Sequence, residues 1–167
     1  MKMLELHSDS ATITESFAKV LAQCCETRPL VIYLRGELGA GKTTFCRGFI
    51  HGLGHEGNVK SPTYTMVEPY QLSGLTVYHF DLYRIGSYKE LEEMGVRDYF
   101  NGQSLCLIEW PERAEGELVK ADISVALAYV GDERKLTIEA QSTVGKSVLK
   151  CFSQMTAELE NNMLPVI

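Results

Sequence analysis

Gly36-Glu37-Leu38-Gly39-Ala40-Gly41-Lys42-Thr43 satisfies the GxxxxGK[ST] spacing that lets a loop wrap a polyphosphate. Glycines allow the backbone to curl until successive N–H groups face phosphate oxygens, and the helix that follows adds a favourable dipole. Gly39, Ala40 and Gly41 form the cradle. Lys42 can reach the β and γ phosphates and takes a catalytic role, the Thr43 hydroxyl suits magnesium, and Thr44 places a second hydroxyl near the α phosphate.

Magnesium in such a site is held from two sides, so a carboxylate is expected at the end of a buried strand. Two residues qualify. Glu109 ends the unbroken apolar run Leu105-Cys106-Leu107-Ile108, suited to a central parallel strand beside the P-loop strand. Asp81 ends Val77-Tyr78-His79-Phe80, a more polar run inside a hairpin, which reads as more peripheral. We therefore assign the metal to Thr43 and Glu109, and give Asp81 the catalytic task of orienting the attacking water; the alternative for Asp81 is a solvent-facing hairpin carboxylate.

Strand alternation puts His79, Asp81 and Tyr83 on one face, a polar set that suggests a site. Ser61-Pro62-Thr63-Tyr64 follows the P-loop helix, where nucleotide switches place a loop that senses the γ phosphate, so Ser61 and Thr63 are switch-loop candidates. Arg84, Arg97 and Arg113 could supply charge to a transition state, although solvation at the surface is the commoner role for any one arginine. Trp110, the only tryptophan, directly follows Glu109 and is placed to report on what Glu109 binds. Neither NKxD nor a DxxG after the P-loop occurs, so adenine is favoured over guanine.

The elements that must carry these residues are legible from periodicity. Met3 to Leu6 reads as a strand, and Ile13, Phe17, Val20, Leu21 and Cys24 recur at helical spacing, with Thr12 and Glu15 as a capping box. Leu30 to Leu34 is a strand covered on both faces, and Phe45, Phe49 and Leu53 mark a helix of about three turns that stops at Gly52 and Gly54. Residues 55–63 read as loop, which includes His55, and Gly52 and Gly54 argue that His51 is a loop residue too rather than half of a helical metal pair. Tyr64 to Tyr70 and Leu75 to Tyr83 form an antiparallel hairpin around Ser73-Gly74. Ser87 to Met94 is a short exposed helix ended by Gly95. Ile123 to Val130 and Lys135 to Ala140 form a second hairpin through Gly131-Asp132. A last helix from about Val144 to Leu159 precedes a tail expected to fray.

The 167 residues suit one domain, with 1–155 as an α/β P-loop domain and 156–167 as a C-terminal tail. Its sheet is expected to be mainly parallel at the centre, with antiparallel hairpins at the edges and flanking helices. A hydrophobic content of 45% excludes a disordered chain, no run approaches the length that spans a bilayer, and the N-terminus lacks a signal-peptide core, which together point to the cytoplasm. A net charge of −6 disfavours autonomous binding to nucleic acid or anionic lipid. The five cysteines are odd in number and contain no CxxC pair, which favours reduced core thiols over disulfides or zinc.

The combination GELGAGKTT (36–44), SPTY (61–64), HFDLYR (79–84) and IEWPER (108–113) resembles the TsaE family, formerly YjeE, over roughly Leu4 to Glu139. The P-loop is shared by many families, but HxDxYR in this order is much more specific. The resemblance implies a cytoplasmic ATPase using ATP and magnesium. It implies a role with the proteins TsaB and TsaD in placing threonylcarbamoyl on adenosine 37 of tRNAs that read codons beginning with A, with tRNA met only through the complex. By the same likeness Thr43 and Glu109 bind magnesium, Asp81 is needed for hydrolysis, the Ser10 to Thr12 segment contacts adenine, and Arg113 and Arg134 lie nearby. Two other classes share the P-loop: a small-molecule kinase, which should carry an arginine-bearing lid not apparent here, and a nucleotide-gated binding module with negligible turnover.

Overall fold

The strand that feeds the P-loop, β2 (Val31–Arg35), buries Ile32 and Leu34 completely on one face and packs Val31 and Tyr33 against a second cluster on the other. A strand covered on both sides needs no polar alternation, hence its continuous apolar run. The computed structural model describes residues 2–72 and 74–163, the last five by backbone alone. Seven strands make one sheet in the order β1 (Met3–Ser8), β7 (Glu133–Ala140), β6 (Ile123–Val130), β2, β5 (Leu105–Glu109), β4 (Leu75–Asp81), β3 (Val67–Leu72). The β6–β2, β2–β5 and β5–β4 ladders are parallel, and β1–β7, β7–β6 and β4–β3 are antiparallel. This is the expected α/β P-loop architecture, with a parallel centre and antiparallel hairpins at the edges.

The helices α1 (Ala11–Cys25), α2 (Lys42–Gly52) and α4 (Thr143–Met163) share one core with the sheet, in which Leu21, Phe45, Phe49 and Phe152 are fully buried. α2 reaches α1 closely because Gly48 has no side chain: a Cβ there would strike the backbone of Glu15. The opposite face is covered by α3 (Tyr88–Glu93) and single 3₁₀ turns at Val96–Asp98 and Pro111–Ala114, packed on Phe80 and Ile108.

Several local expectations are corrected. The N-cap of α1 is Ser10, whose hydroxyl accepts from the Ile13 N–H at 3.3 Å, so Thr12 and Glu15 lie inside the helix and form no capping box. β3 begins at Val67 rather than Tyr64, because Met66 takes a left-handed conformation and its N–H closes a turn onto the Pro62 carbonyl at 2.7 Å. His51 sits in the last turn of α2, which Gly52 ends one residue later than the loop reading required. α3 is anchored by a fully buried Leu91 and is not wholly exposed. α4 continues to Met163, so the segment from 156 is helical as far as it is described; of the tail expected to fray beyond Leu159, residues 160–163 are helical and 164–167 lie outside the described residues.

The expectation of five reduced thiols is also overturned for one pair. Cys24 on α1 and Cys151 on α4 form a disulfide with Cα atoms 5.7 Å apart. They are separated by 127 residues, so no spacing in the sequence announced a pair that helix packing alone creates. Cys25, Cys46 and Cys106 are free and buried, as expected, and burial pushes the Cys25 and Cys106 thiols up to about 12.

Candidate active site

The carboxyl end of β2 runs into the glycine loop, and Gly41 forms the N-cap of α2 at φ 107°, a conformation that L side chains rarely adopt. Lys42, Thr43 and Thr44 therefore open the helix with their backbone N–H groups facing the loop. Lys42 is buried. Its Nζ donates to the Gly36 and Glu37 carbonyls at 2.6 and 2.8 Å and lies 4.2 Å from the centre of the Trp110 ring. Burial lowers its pKa, and the carboxylates of Glu109, Glu112 and Asp81 oppose that shift.

β4 and β5 are neighbours and parallel, which sets Asp81 directly opposite Glu109. The two carboxylates are both buried but serve different neighbours. Glu109 accepts from the Thr43 hydroxyl at 3.0 Å (Oε1) and 3.2 Å (Oε2), and the His79 Nε2 lies 2.7 Å from Oε1. Such partners are what a buried carboxylate requires, since an unpaired one would be strongly destabilising. Asp81 Oδ2 accepts from Thr63 at 3.2 Å and from Ser61 at 3.4 Å, while Oδ1 accepts from the Tyr83 N–H at 3.0 Å. Asp81 is only 4% exposed, so the solvent-facing alternative does not hold, and its strand is internal to the sheet. The hard oxygen donors of Thr43 and Glu109 match the ligand preference of magnesium.

Trp110 directly follows Glu109 and lines the same cleft as both carboxylates. It has φ 58° and ψ 47°, directly before Pro111, which disfavours the right-handed helical region for the residue preceding it. Its ring meets Tyr83 at 4.9 Å, and the Arg113 guanidinium lies over both, 5.2 Å from Tyr83 and 5.9 Å from Trp110. A cleft of about 330 Å³ is lined here by Lys42, Thr43, Ser61, Thr63, Asp81, Tyr83, Arg84, Glu109 and Trp110.

A second cleft of about 360 Å³ opens on the other side of the loop, lined by Ser8, Asp9, Ser10, Ala11, Thr14, Gly39, Ala40, Gly41, Thr44, Asp132 and Arg134. The Tyr129 hydroxyl donates to the Leu38 carbonyl at 3.1 Å, and the Arg134 guanidinium sits 4.0 Å over the Tyr129 ring, tying the β6–β7 hairpin to the P-loop.

The structure thus gathers Ser10, Ala40 and Arg134 in one cleft and Lys42, Thr43, Ser61, Thr63, Asp81, Tyr83, Glu109 and Trp110 in the other, with Gly39, Gly41 and Thr44 lining both and His79 behind Glu109. Thr12 faces away on α1 and lines neither. Arg113 is at the Trp110 end, apart from Arg134, and Arg97 pairs with Glu92 at the surface. Sequence reasoning passed over Ser8, Thr14 and Asp132; the Ser/Asp cluster after the first strand was the available signal for Ser8, whose Oγ lies 2.7 Å from Thr14 Oγ1.

The family profile described as "Threonylcarbamoyl adenosine biosynthesis protein TsaE" matches residues 8–137. The chain is 50% identical over 139 residues to the tRNA threonylcarbamoyladenosine biosynthesis protein TsaE of Haemophilus influenzae, covering 83% of this chain and 88% of that one. It is 38% identical over 141 residues to the protein of the same name from Bacillus subtilis, covering 84% and 87%. The crystal structure of Bacillus subtilis YdiB superposes with a TM-score of 0.79 at 31% identity, over 93% of this chain and 97% of that one. Among the described residues no helix is long and apolar enough to cross a membrane. With its P-loop, its paired carboxylates and these relatives in agreement, the chain belongs to the TsaE family.

Proposed function

We propose that the chain is a magnesium-dependent ATPase of tRNA threonylcarbamoyladenosine biosynthesis, acting with TsaB and TsaD on tRNA that it meets through their complex. The observation that carries this reading is the division of labour between two adjacent carboxylates, Glu109 on the P-loop threonine and Asp81 on the Ser61–Thr63 loop. Thr43 and Glu109 would hold magnesium, which when bound neutralises charge on the β and γ phosphates. Lys42 exchanges its two carbonyl acceptors for phosphate oxygens. Asp81 holds the attacking water, and Ser61 and Thr63, which fix its carboxylate, make that geometry depend on the loop beside the γ phosphate. His79 orients Glu109. Ser10 and Arg134 line the base end, and a net charge of −6 fits a partner-borne rather than an autonomous hold on tRNA.

ATP hydrolysis measured for the chain alone and with TsaB and TsaD, beside Lys42→Ala, tests the proposal. Turnover that rises with the partners and is lost in Lys42→Ala is expected. Near-normal hydrolysis by Lys42→Ala at saturating ATP would remove the P-loop assignment, and the same slow rate with and without partners would favour a nucleotide-gated module.

A further inference from the structure

Behind the Thr43–Glu109 contact lies a group that the hydrolysis reading does not use. Cys46, one turn into α2 from Lys42, faces His79 and Glu109, and a sulfur, an imidazole nitrogen and a carboxylate oxygen from these three buried residues all lie within 4.8 Å of one another. They come from α2, β4 and β5, 33 and 30 positions apart, so the absence of a CxxC pair said nothing about them. The ring nitrogen of the fully buried His79 that meets Glu109 is Nε2, at 2.7 Å from Oε1.

We propose that Cys46, His79 and Glu109 form a binding site for a thiophilic divalent cation such as Zn²⁺, which competes with magnesium for Glu109. The ligand chemistry favours this class of ion. Thiolate and imidazole select zinc and its neighbours, whereas magnesium requires oxygen ligands and keeps to the Thr43 side of the carboxylate. The geometry needs little adjustment. Tetrahedral zinc with ligands at about 2.0 to 2.3 Å sets neighbouring ligand atoms roughly 3.3 to 3.8 Å apart. The His79–Glu109 contact at 2.7 Å opens slightly as the ion replaces its hydrogen bond. Three protein ligands leave a fourth position for water or the Thr43 hydroxyl, which is already 3.0 Å from Glu109 Oε1. Charge and protons balance simply: the Cys46 thiol gives its proton to solvent, and thiolate plus carboxylate neutralise the dication. The competition, though not the binding, rests on placing magnesium at Glu109.

Cobalt(II) titrated into the intact chain reads the site directly, because a sulfur ligand gives a charge-transfer band that oxygen and nitrogen ligands do not. One cobalt per chain, a band that zinc abolishes, and loss of the band in Cys46→Ser are expected. X-ray absorption of the zinc-loaded parent chain should show one sulfur at about 2.3 Å and light-atom ligands at about 2.0 Å, a measurement that needs no variant. No band at saturating cobalt, a band retained in Cys46→Ser, or more than one sulfur per zinc would overturn the site. Zinc should then weaken MgATP binding, measured by calorimetry, by roughly 5- to 150-fold, the range in which two ligands usually couple. If the band behaves as expected and MgATP affinity is unchanged, the zinc site stands and it is magnesium that must be moved off Glu109.

Discussion

The two clefts that meet at the P-loop are built differently. The Glu109–Asp81 end stands on the carboxyl ends of parallel strands β2, β5 and β4, with both carboxylates buried and hydrogen-bonded. The Ser10–Arg134 end is assembled from the edge: the β1–α1 junction and the β6–β7 hairpin, held by exposed contacts such as Arg134 over Tyr129. On the proposed reading the first end carries the chemistry and the second the base; chemistry requires atoms fixed to a fraction of an ångström, which interior strands supply, whereas holding a base tolerates looser walls. Damage should therefore grow as substitutions move from the edge to the centre.

Asp81→Asn should have the largest effect, lowering hydrolysis by about 10²- to 10⁴-fold, the usual contribution of a group that handles the proton of the attacking water. Its MgATP affinity, measured by calorimetry, should stay within about threefold of the parent. Glu109→Gln comes next: loss of a charge-assisted partner worth roughly 1.5 to 3 kcal/mol should erase most of the difference between ATP affinities measured with and without magnesium. If Asp81→Asn loses the magnesium effect and Glu109→Gln keeps it, the two roles must be exchanged.

At the edge, Arg134→Ala should weaken ATP and ADP alike by only a fewfold, as an exposed cation–aromatic contact of about 0.5 to 1 kcal/mol is removed, with kcat unchanged. An equally large loss of kcat would mean that the hairpin positions the reacting groups and that the contrast between the ends is false. The smallest effect is optical. Trp110 packs on Lys42 and follows Glu109, so MgATP should shift its emission more than magnesium-free ATP does, and Glu109→Gln should shrink that difference. Unchanged emission at saturating nucleotide would place the ligand away from Trp110.

The same contrast governs what could be read in the sequence. The place of Glu109 was legible because the apolar run from Leu105 to Ile108 reads as a strand buried on both faces, and β5 is that strand, ending at Glu109 between β2 and β4. The Ser10–Arg134 end is less legible. Thr12 and Glu15 fit a capping box by spacing, yet the helix starts two residues earlier with Ser10 as its cap, and Thr12 does not line the cleft. Asp132 and Ser8 meet only through β1–β7 pairing, and the Cys24–Cys151 bond only through α1–α4 packing; neither leaves a local pattern. His79 was singled out for the face it shares with Asp81, but its partner, the carboxylate on the next strand, required the register.

Pairing of β1 with β7 has a consequence for synthesis. The strands that bear the phosphate-end residues, β2, β4 and β5, are complete once Glu109 has been made, whereas β1 waits for Glu133–Ala140 before its edge is covered. An emerging chain thus carries its P-loop before it carries the hairpin wall of the Ser10–Arg134 cleft, and its first strand remains unpaired over most of translation. The β6–β7 hairpin thus completes two things in one step: it covers the inner edge of β1, whose outer edge stays the margin of the sheet, and it supplies the last wall of the Ser10–Arg134 cleft.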